Sequence, residues 1–184
     1  MSATQKEGFY AIDFVKDSFS KPWPVYDAKH LMSLMRQPGV EVDIRNIREG
    51  RQDAKRYLPA IVWGGHFEHQ RRRDAECVPS GLFCLDIDHI TTEGPEGARR
   101  YYQEHFGGRE DELDIVFAHV SPSGDGLHVV ALCQPGLQTI AENQQWLAGK
   151  ASSAYDPVCK NIGRIYYLST ETDIIYNDIT EENE

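Results

Sequence analysis

Asp86 and Asp88 close the stretch Gly-Leu-Phe-Cys-Leu-Asp-Ile-Asp over residues 81–88, an apolar run that ends in two carboxylates two positions apart. Side chains alternate along a strand, so both acids point to the same face. Two like charges held that close are costly without a counter-charge, and a hard divalent cation such as Mg2+ or Mn2+ suits oxygen ligands. The chemistry this suggests is phosphoryl transfer, in which metal ions neutralise a polyphosphate and activate an attacking hydroxyl. Asp is also a common turn former at strand ends. The buried run in front of the pair favours the metal reading.

Two further groups lie downstream. Ser121-Pro122-Ser123-Gly124-Asp125-Gly126-Leu127-His128 is a small-residue turn that delivers a histidine onto a strand. Gly124 and Gly126 permit positive φ, so backbone N–H groups can converge on an anion, and Ser121 and Ser123 add hydroxyl donors. The same residues also make ordinary hairpin loops. His128 would face away from Leu127 and Val129, where it can hydrogen-bond a triphosphate. The second group runs from Asp156 to Leu168. Asp156 offers another carboxylate, Lys160 and Arg164 offer cations for phosphates, and Arg164 inside an apolar strand calls for an anionic partner. Asp-Pro also starts turns, which is the plain alternative there. His66 and His69 lack a third neighbour and helical spacing for zinc, so they read as surface residues. His89, next to the acid pair, is a weak metal candidate.

Elements must bring these groups together. Phe9 to Phe14 reads as a first strand. Asp27 caps a helix over Ala28 to Arg36, stopped by Pro38-Gly39. Ile44 to Leu58 reads as mostly helical, Ala60 to Trp63 as a strand, and the arginine-rich 68–76 stretch as a loop or short helix. Leu82 to Asp88 is the clearest strand. A helix over Pro95 to Phe106 precedes a hairpin of Asp114 to Val120 and Leu127 to Cys133. Gln138 to Ala151 is helical, and Gly163 to Leu168 and Ile174 to Tyr176 are strands. The pattern is α+β with a mixed or antiparallel sheet, in one domain over 1–184.

The chain has 184 residues and a formal net charge of −10, which by itself argues against nucleic acid. The distribution is uneven. Arg45 to Arg73 carries a net +5, so the remainder is −15. Arg48, Arg51, Lys55, Arg56, Arg71, Arg72 and Arg73 in that stretch can track a phosphate backbone, although a solvated helix face would look the same. Cys77, Cys84, Cys133 and Cys159 are scattered without a Cys-x-x-Cys pair and read as free thiols in a reducing compartment. No apolar run approaches the roughly 18 residues of a membrane helix, and the first residues lack a signal-peptide core, so the expected location is cytoplasmic without membrane contact.

The order of apolar strand with Asp-x-Asp, Gly-x-His, then a third Asp before an Arg-bearing strand resembles the archaeo-eukaryotic primase superfamily of primase–polymerases. Leu58-Pro59-Ala60-Ile61, Gly64-Gly65-His66-Phe67, Ser80-Gly81-Leu82, Ser121 to Leu127 and Asp156 to Ser169 look more closely like the VirE N-terminal-type domain of phage and mobile-element proteins. This resemblance covers about residues 50–177, and the Ser-Pro-Ser-Gly-x-Gly-Leu turn is its most specific part. It implies an RRM-like sheet packed with helices. It implies Asp86, Asp88 and Asp156 (or Asp173 in its place) as Mg2+ or Mn2+ ligands, His128 as a nucleotide contact and Arg164 as a phosphate contact. It further implies NTP or dNTP and template or primer DNA as partners, with a helicase in cis or trans. Gly126 stands where that superfamily usually has the Ser of Ser-x-His.

The expected activity is nucleotide transfer onto a nucleic-acid 3′-hydroxyl. Two other classes compete. One is a catalytically silent nucleic-acid or nucleotide-binding module serving a helicase, which the overall acidity and Gly126 favour. The other is a haloacid-dehalogenase-type phosphatase with Asp86 as nucleophile, disfavoured by the 85 residues ahead of it and by the lack of a clear downstream acidic pair.

Overall fold

The computed structural model describes residues 9–179. Its strands and helices, in chain order, are β1 Asp13–Val15, β2 Trp23–Pro24, α1 Ala28–Met35, α2 Pro38–Arg48, β3 Ala60–Val62, β4 Gly65–Phe67, β5 Cys77–Pro79, β6 Leu82–Ile87, α3 Gly94–His105, β7 Ile115–Val120, β8 Leu127–Leu132, α4 Ile140–Ala151, β9 Tyr166–Tyr167 and β10 Ile174–Asn177. The chain is α+β, with antiparallel pairing throughout these strands. The main sheet has the order β10-β7-β8-β6, a second has the order β2-β1-β3-β9, and β4 pairs with β5 as a separate hairpin. Among the described residues, no helix is long and apolar enough to cross a membrane.

The main sheet is covered on both faces, which is why its strands are apolar runs rather than alternating ones. Phe83, Leu85, Ile87, Leu127, Val129 and Ala131 face Ala98, Tyr102 and Phe106 on or after α3, and Leu147, Ala148 and Ala151 on α4. Leu82, Cys84, Phe117 and Val130 face the other way, onto Ile61, Trp63 and Tyr166 of the second sheet and its flank and onto Leu31, Leu34 and Met35 of α1. Asp86 and His128 continue this second face and pair across the strands. The polar site therefore opens at one end of the layer between the sheets.

Local signals explain the helices that frame this layer. Asp27 caps α1 by accepting from the His30 N–H at 2.6 Å. Pro38 does more than stop α1, because it begins α2 at a position where the missing N–H costs nothing. The helix expected over Ile44 to Leu58 breaks after Arg48, where Gly50 takes φ +100°, and resumes as a 3₁₀ turn over Gln52–Tyr57. Thr139 and Glu142 form a reciprocal capping box that starts α4.

β6 is an edge strand, and the chain after α4 covers that edge. The Asp156 N–H donates to the Asp86 carbonyl at 2.8 Å. Gln144 Nε2 of α4 donates to the Cys84 and Cys159 carbonyls at 2.9 and 2.7 Å. The Tyr166 hydroxyl donates to the Cys159 carbonyl at 3.0 Å. These bonds satisfy exposed edge groups and fix residues 156–159 beside the end of β6.

Candidate functional site

Three segments meet at Asp86. β6 supplies Asp86, β8 places His128 opposite it in register, and the loop after α4 brings Asp156 and Cys159. Cys159 Sγ lies 3.2 Å from Asp86 Oδ2 and 3.2 Å from Asp156 Oδ2. Ligand atoms of Asp86, Asp156 and Cys159 all fall within 4.8 Å of one another, close enough to hold one cation. His128 Nε2 stands 3.4 Å from Asp86 Oδ1, the range of a long ion pair rather than a close hydrogen bond. Consistent with that, Asp86 Oδ1 is buried without a hydrogen-bond partner. A buried carboxylate oxygen with a free lone pair, next to a second carboxylate, fits a divalent cation.

The electrostatics support the same centre. Burial alone would raise the Asp86 carboxyl, but His128 and the Cys159 thiol outweigh it and hold it at about 2. Burial raises Asp88, and the Asp86 charge raises it further. Burial, the charge of Asp86 and the hydrogen bond to Asp156 push the Cys159 thiol up, so without a cation it stays protonated. Behind His128, burial pulls the fully enclosed His119 down to about 3, and the two rings meet edge to face at 4.9 Å. Lys55, in the 3₁₀ turn, is close enough for its charge to lower both Asp86 and Asp88.

Asp88 lies one residue past the strand and is exposed, at the mouth of the site rather than in its floor. Asp173, the other choice for third acid, lies elsewhere. It is buried, accepts from Ser169 and Thr170, and binds Arg48 at 2.8 Å. Arg48 is thereby committed to an ion pair, against the expectation of a free phosphate contact. Arg164 precedes β9 and is exposed, so the half-buried strand arginine expected from the sequence is corrected. The strand is only two residues long, and Arg164 sits in the turn before it, where its charge still reaches the Cys159 thiol and the Tyr166 hydroxyl. Lys160 turns away and lines a cavity of about 910 Å3 with Gly64, Leu82 and Cys133.

The serine–glycine turn is tied to itself. Ser121 Oγ and Ser123 Oγ are 3.0 Å apart, the Ser123 hydroxyl donates to Asp125 Oδ1 at 2.5 Å, and Asp125 Oδ2 meets His89 Nδ1 at 2.6 Å. His89 therefore faces Asp125 and not Asp86. Gly124 adopts φ +86°, as expected, but Gly126 has no positive φ. A Cβ at 126 would lie 2.2 Å from the Ile87 carbonyl oxygen. Gly126 is required by the close approach of the turn to the end of β6, and this excludes a serine there.

Among the other basic residues, Arg51 pairs with Glu49 and Arg73 with Glu76. Arg56 lies over Tyr57, and Arg72 donates to the Ser18 carbonyl at 3.0 Å. Arg71 is exposed. Asp74 accepts from Asn161 Nδ2 at 2.6 Å and from the Gly163 N–H at 3.2 Å, which ties the Arg71–Arg73 loop to the turn bearing Arg164. His66 lies on β4 near Asp13, and His69 is exposed; neither joins the cluster. Cys159 was expected only as a free thiol. Its spacing three residues after Asp156 is the signal that could have placed it with the acids.

Residues 53–176 match the family model described as BT4734-like, N-terminal domain, about two thirds of the chain. The chain belongs to this family. The match by this BT4734-like domain includes Asp86, Asp88, His128, Asp156 and Cys159, and it starts two residues before Lys55. Neither a curated protein nor a solved structure matches the chain.

Proposed function

We propose that this domain is a metal-dependent nucleotidyltransferase of the primase–polymerase type, which joins an NTP or dNTP to a nucleic-acid 3′-hydroxyl during replication of a phage or mobile element. The observation that carries the reading is the meeting of Asp86 and Asp156, each 3.2 Å from one sulfur, with His128 3.4 Å from Asp86. The run β6-α3-β7-β8-α4, with both helices on one sheet face, supports an RRM-like core. β10 joins at the β7 edge, whereas an RRM-like order would set the last strand beside the first.

Asp86 and Asp156 would hold the divalent cation, Mg2+ or Mn2+, with Asp88 at the mouth. When bound, such an ion supplies charge neutralisation for the triphosphate and activation of the hydroxyl. His128 is placed to donate to a phosphate oxygen beside Asp86. Arg164 and Lys55 add positive charge at the rim, and the Arg71–Arg73 loop offers the adjoining surface to a template strand. In the reaction the 3′-hydroxyl would give its proton to solvent as its oxygen bonds the α-phosphorus, the bond to the β-phosphate oxygen breaks, and pyrophosphate leaves. A helicase in cis or trans would supply single-stranded template.

The test is Mn2+-dependent dNTP incorporation on a primed template. The parent should extend the primer, and Asp86→Ala should abolish extension while the far-UV circular dichroism is kept. Extension by the variant at the parent's rate would remove Asp86 from the reaction. A second reading, a silent nucleic-acid-binding module, draws on the Ser121–Ser123–Asp125–His89 chain, which already occupies the hydroxyls meant for phosphate. DNA binding by the parent without incorporation would favour it.

A further inference from the structure

Cys159 has one S–H hydrogen and two carboxylate oxygens at 3.2 Å. The hydrogen serves one oxygen at a time, so the other contact sets lone pair against lone pair. A cation removes that conflict by accepting all three donors. Bonds of about 2.3 Å to sulfur and about 2.0–2.2 Å to oxygen, opened at the tetrahedral angle, span about 3.5 Å between donors. The observed contacts are close to that span. A separate observation points the same way from another strand. His128, with its side chain 6% exposed and Nδ1 lacking any hydrogen-bond partner, aims Nε2 at Asp86 Oδ1, an oxygen that is itself buried without a hydrogen bond. A nine-tenths buried imidazole aimed at a buried carboxylate oxygen that has no hydrogen bond of its own marks a polar site left open for an ion.

We propose that Cys159 is a ligand of this centre beside Asp86 and Asp156, and that the site therefore takes a thiophilic divalent ion of the zinc and cobalt class in preference to magnesium. This rests on the cation reading of the same site and shifts its preferred ion from the Mg2+ or Mn2+ named above to a softer one, with Mn2+ still admitted through the two carboxylates. Thiolate sulfur favours such ions, whereas magnesium demands oxygen donors and retains its waters. On binding, the S–H bond gives its proton to solvent and the sulfur lone pair goes to the ion; nothing is oxidised or reduced.

The full chain carrying Cys77→Ser and Cys133→Ser, which leaves Cys84 and Cys159, is titrated with Co2+ and followed in the near ultraviolet. One thiolate-to-cobalt charge-transfer band per chain is expected. Adding Cys159→Ser should abolish the band and weaken Zn2+ binding by a factor of roughly 10–100, while Cys84→Ser keeps the band. Asp156→Asn is the second variant, expected to weaken Co2+ uptake while Cys159 is left in place. Co2+ uptake without the band, a band lost with Cys84 and not with Cys159, or unchanged Zn2+ affinity in Cys159→Ser overturns the thiolate ligand and leaves the carboxylate centre standing. Failure to take up any divalent ion overturns both.

Discussion

At the scale of single residues, the site is defined by charges that neighbours force into unusual states. His119 is the clearest case outside the cluster. It is fully buried, its Nδ1 is 2.8 Å from the Val120 carbonyl, its Nε2 has no partner, and the charges that reach it come from His128, Asp173 and Asp86. Its folded-state value is depressed from 6.5 to about 3, so the unfolded chain takes up a proton that the folded chain refuses. The contribution is complete above pH 6.5 and is lost as pH falls from 6.5 toward 3, by about 1.4 kcal/mol per pH unit. Urea unfolding at pH 7 and pH 5 should show the parent losing on the order of 2 kcal/mol more than His119→Gln. Equal losses would mean that His119 protonates freely in the folded chain. The importance of this histidine was not legible in the sequence, because one residue in an apolar strand carries no spacing signal. Asp86 and His128 were legible, since strand alternation fixes their facing, whereas Asp88 was read as part of a strand that ends at Ile87. Cys159 was not, because its role depends on a loop laid along the edge of β6.

At the scale of elements, the end of β6 and the turn before β8 depend on contact between backbones. Gly126 approaches Ile87 so closely that any side chain collides with a carbonyl oxygen. Gly126→Ala should therefore destabilise the fold by at least about 2 kcal/mol. Gly149→Ala, on the exposed side of α4 with nothing within 4 Å of the new carbon, should instead stabilise by about 0.5–1 kcal/mol. Thermal melts of the two variants check both signs, and a neutral Gly126→Ala would show that the turn can move off β6. The long elements with clear apolar patterns, β6, the β7–β8 hairpin, α3 and α4, were readable within a residue or two. The β4–β5 hairpin was missed because its strands are three residues each and enclose an arginine-rich loop with no alternation. β9 was read too long because Ile165 and Leu168 extend its apolar pattern beyond the two residues that pair with β3.

At the scale of the whole molecule, an acidic chain brings the charges of Lys55 and Arg164 within reach of an acidic site. Lys55 comes from the turn after α2 and Arg164 from the turn before β9, and Asp74 ties the Arg71–Arg73 loop between β4 and β5 to that second turn. The net charge of −10 hid this arrangement, because net charge is a sum and recognition depends on position. Arg48 and Asp173 tie α2 to the segment before β10 and hold this frame together. Asp86 and Asp156 are proposed to form one cation centre. Mn2+ binding followed by electron paramagnetic resonance tests it most directly, with parent, Asp86→Asn, Asp156→Asn and Asp125→Asn compared. One ion per parent chain is expected, with affinity at least about tenfold weaker in the first two variants and unchanged in the third. Equal Mn2+ uptake by the parent and by Asp86→Asn and Asp156→Asn, or no uptake by the parent, would contradict it.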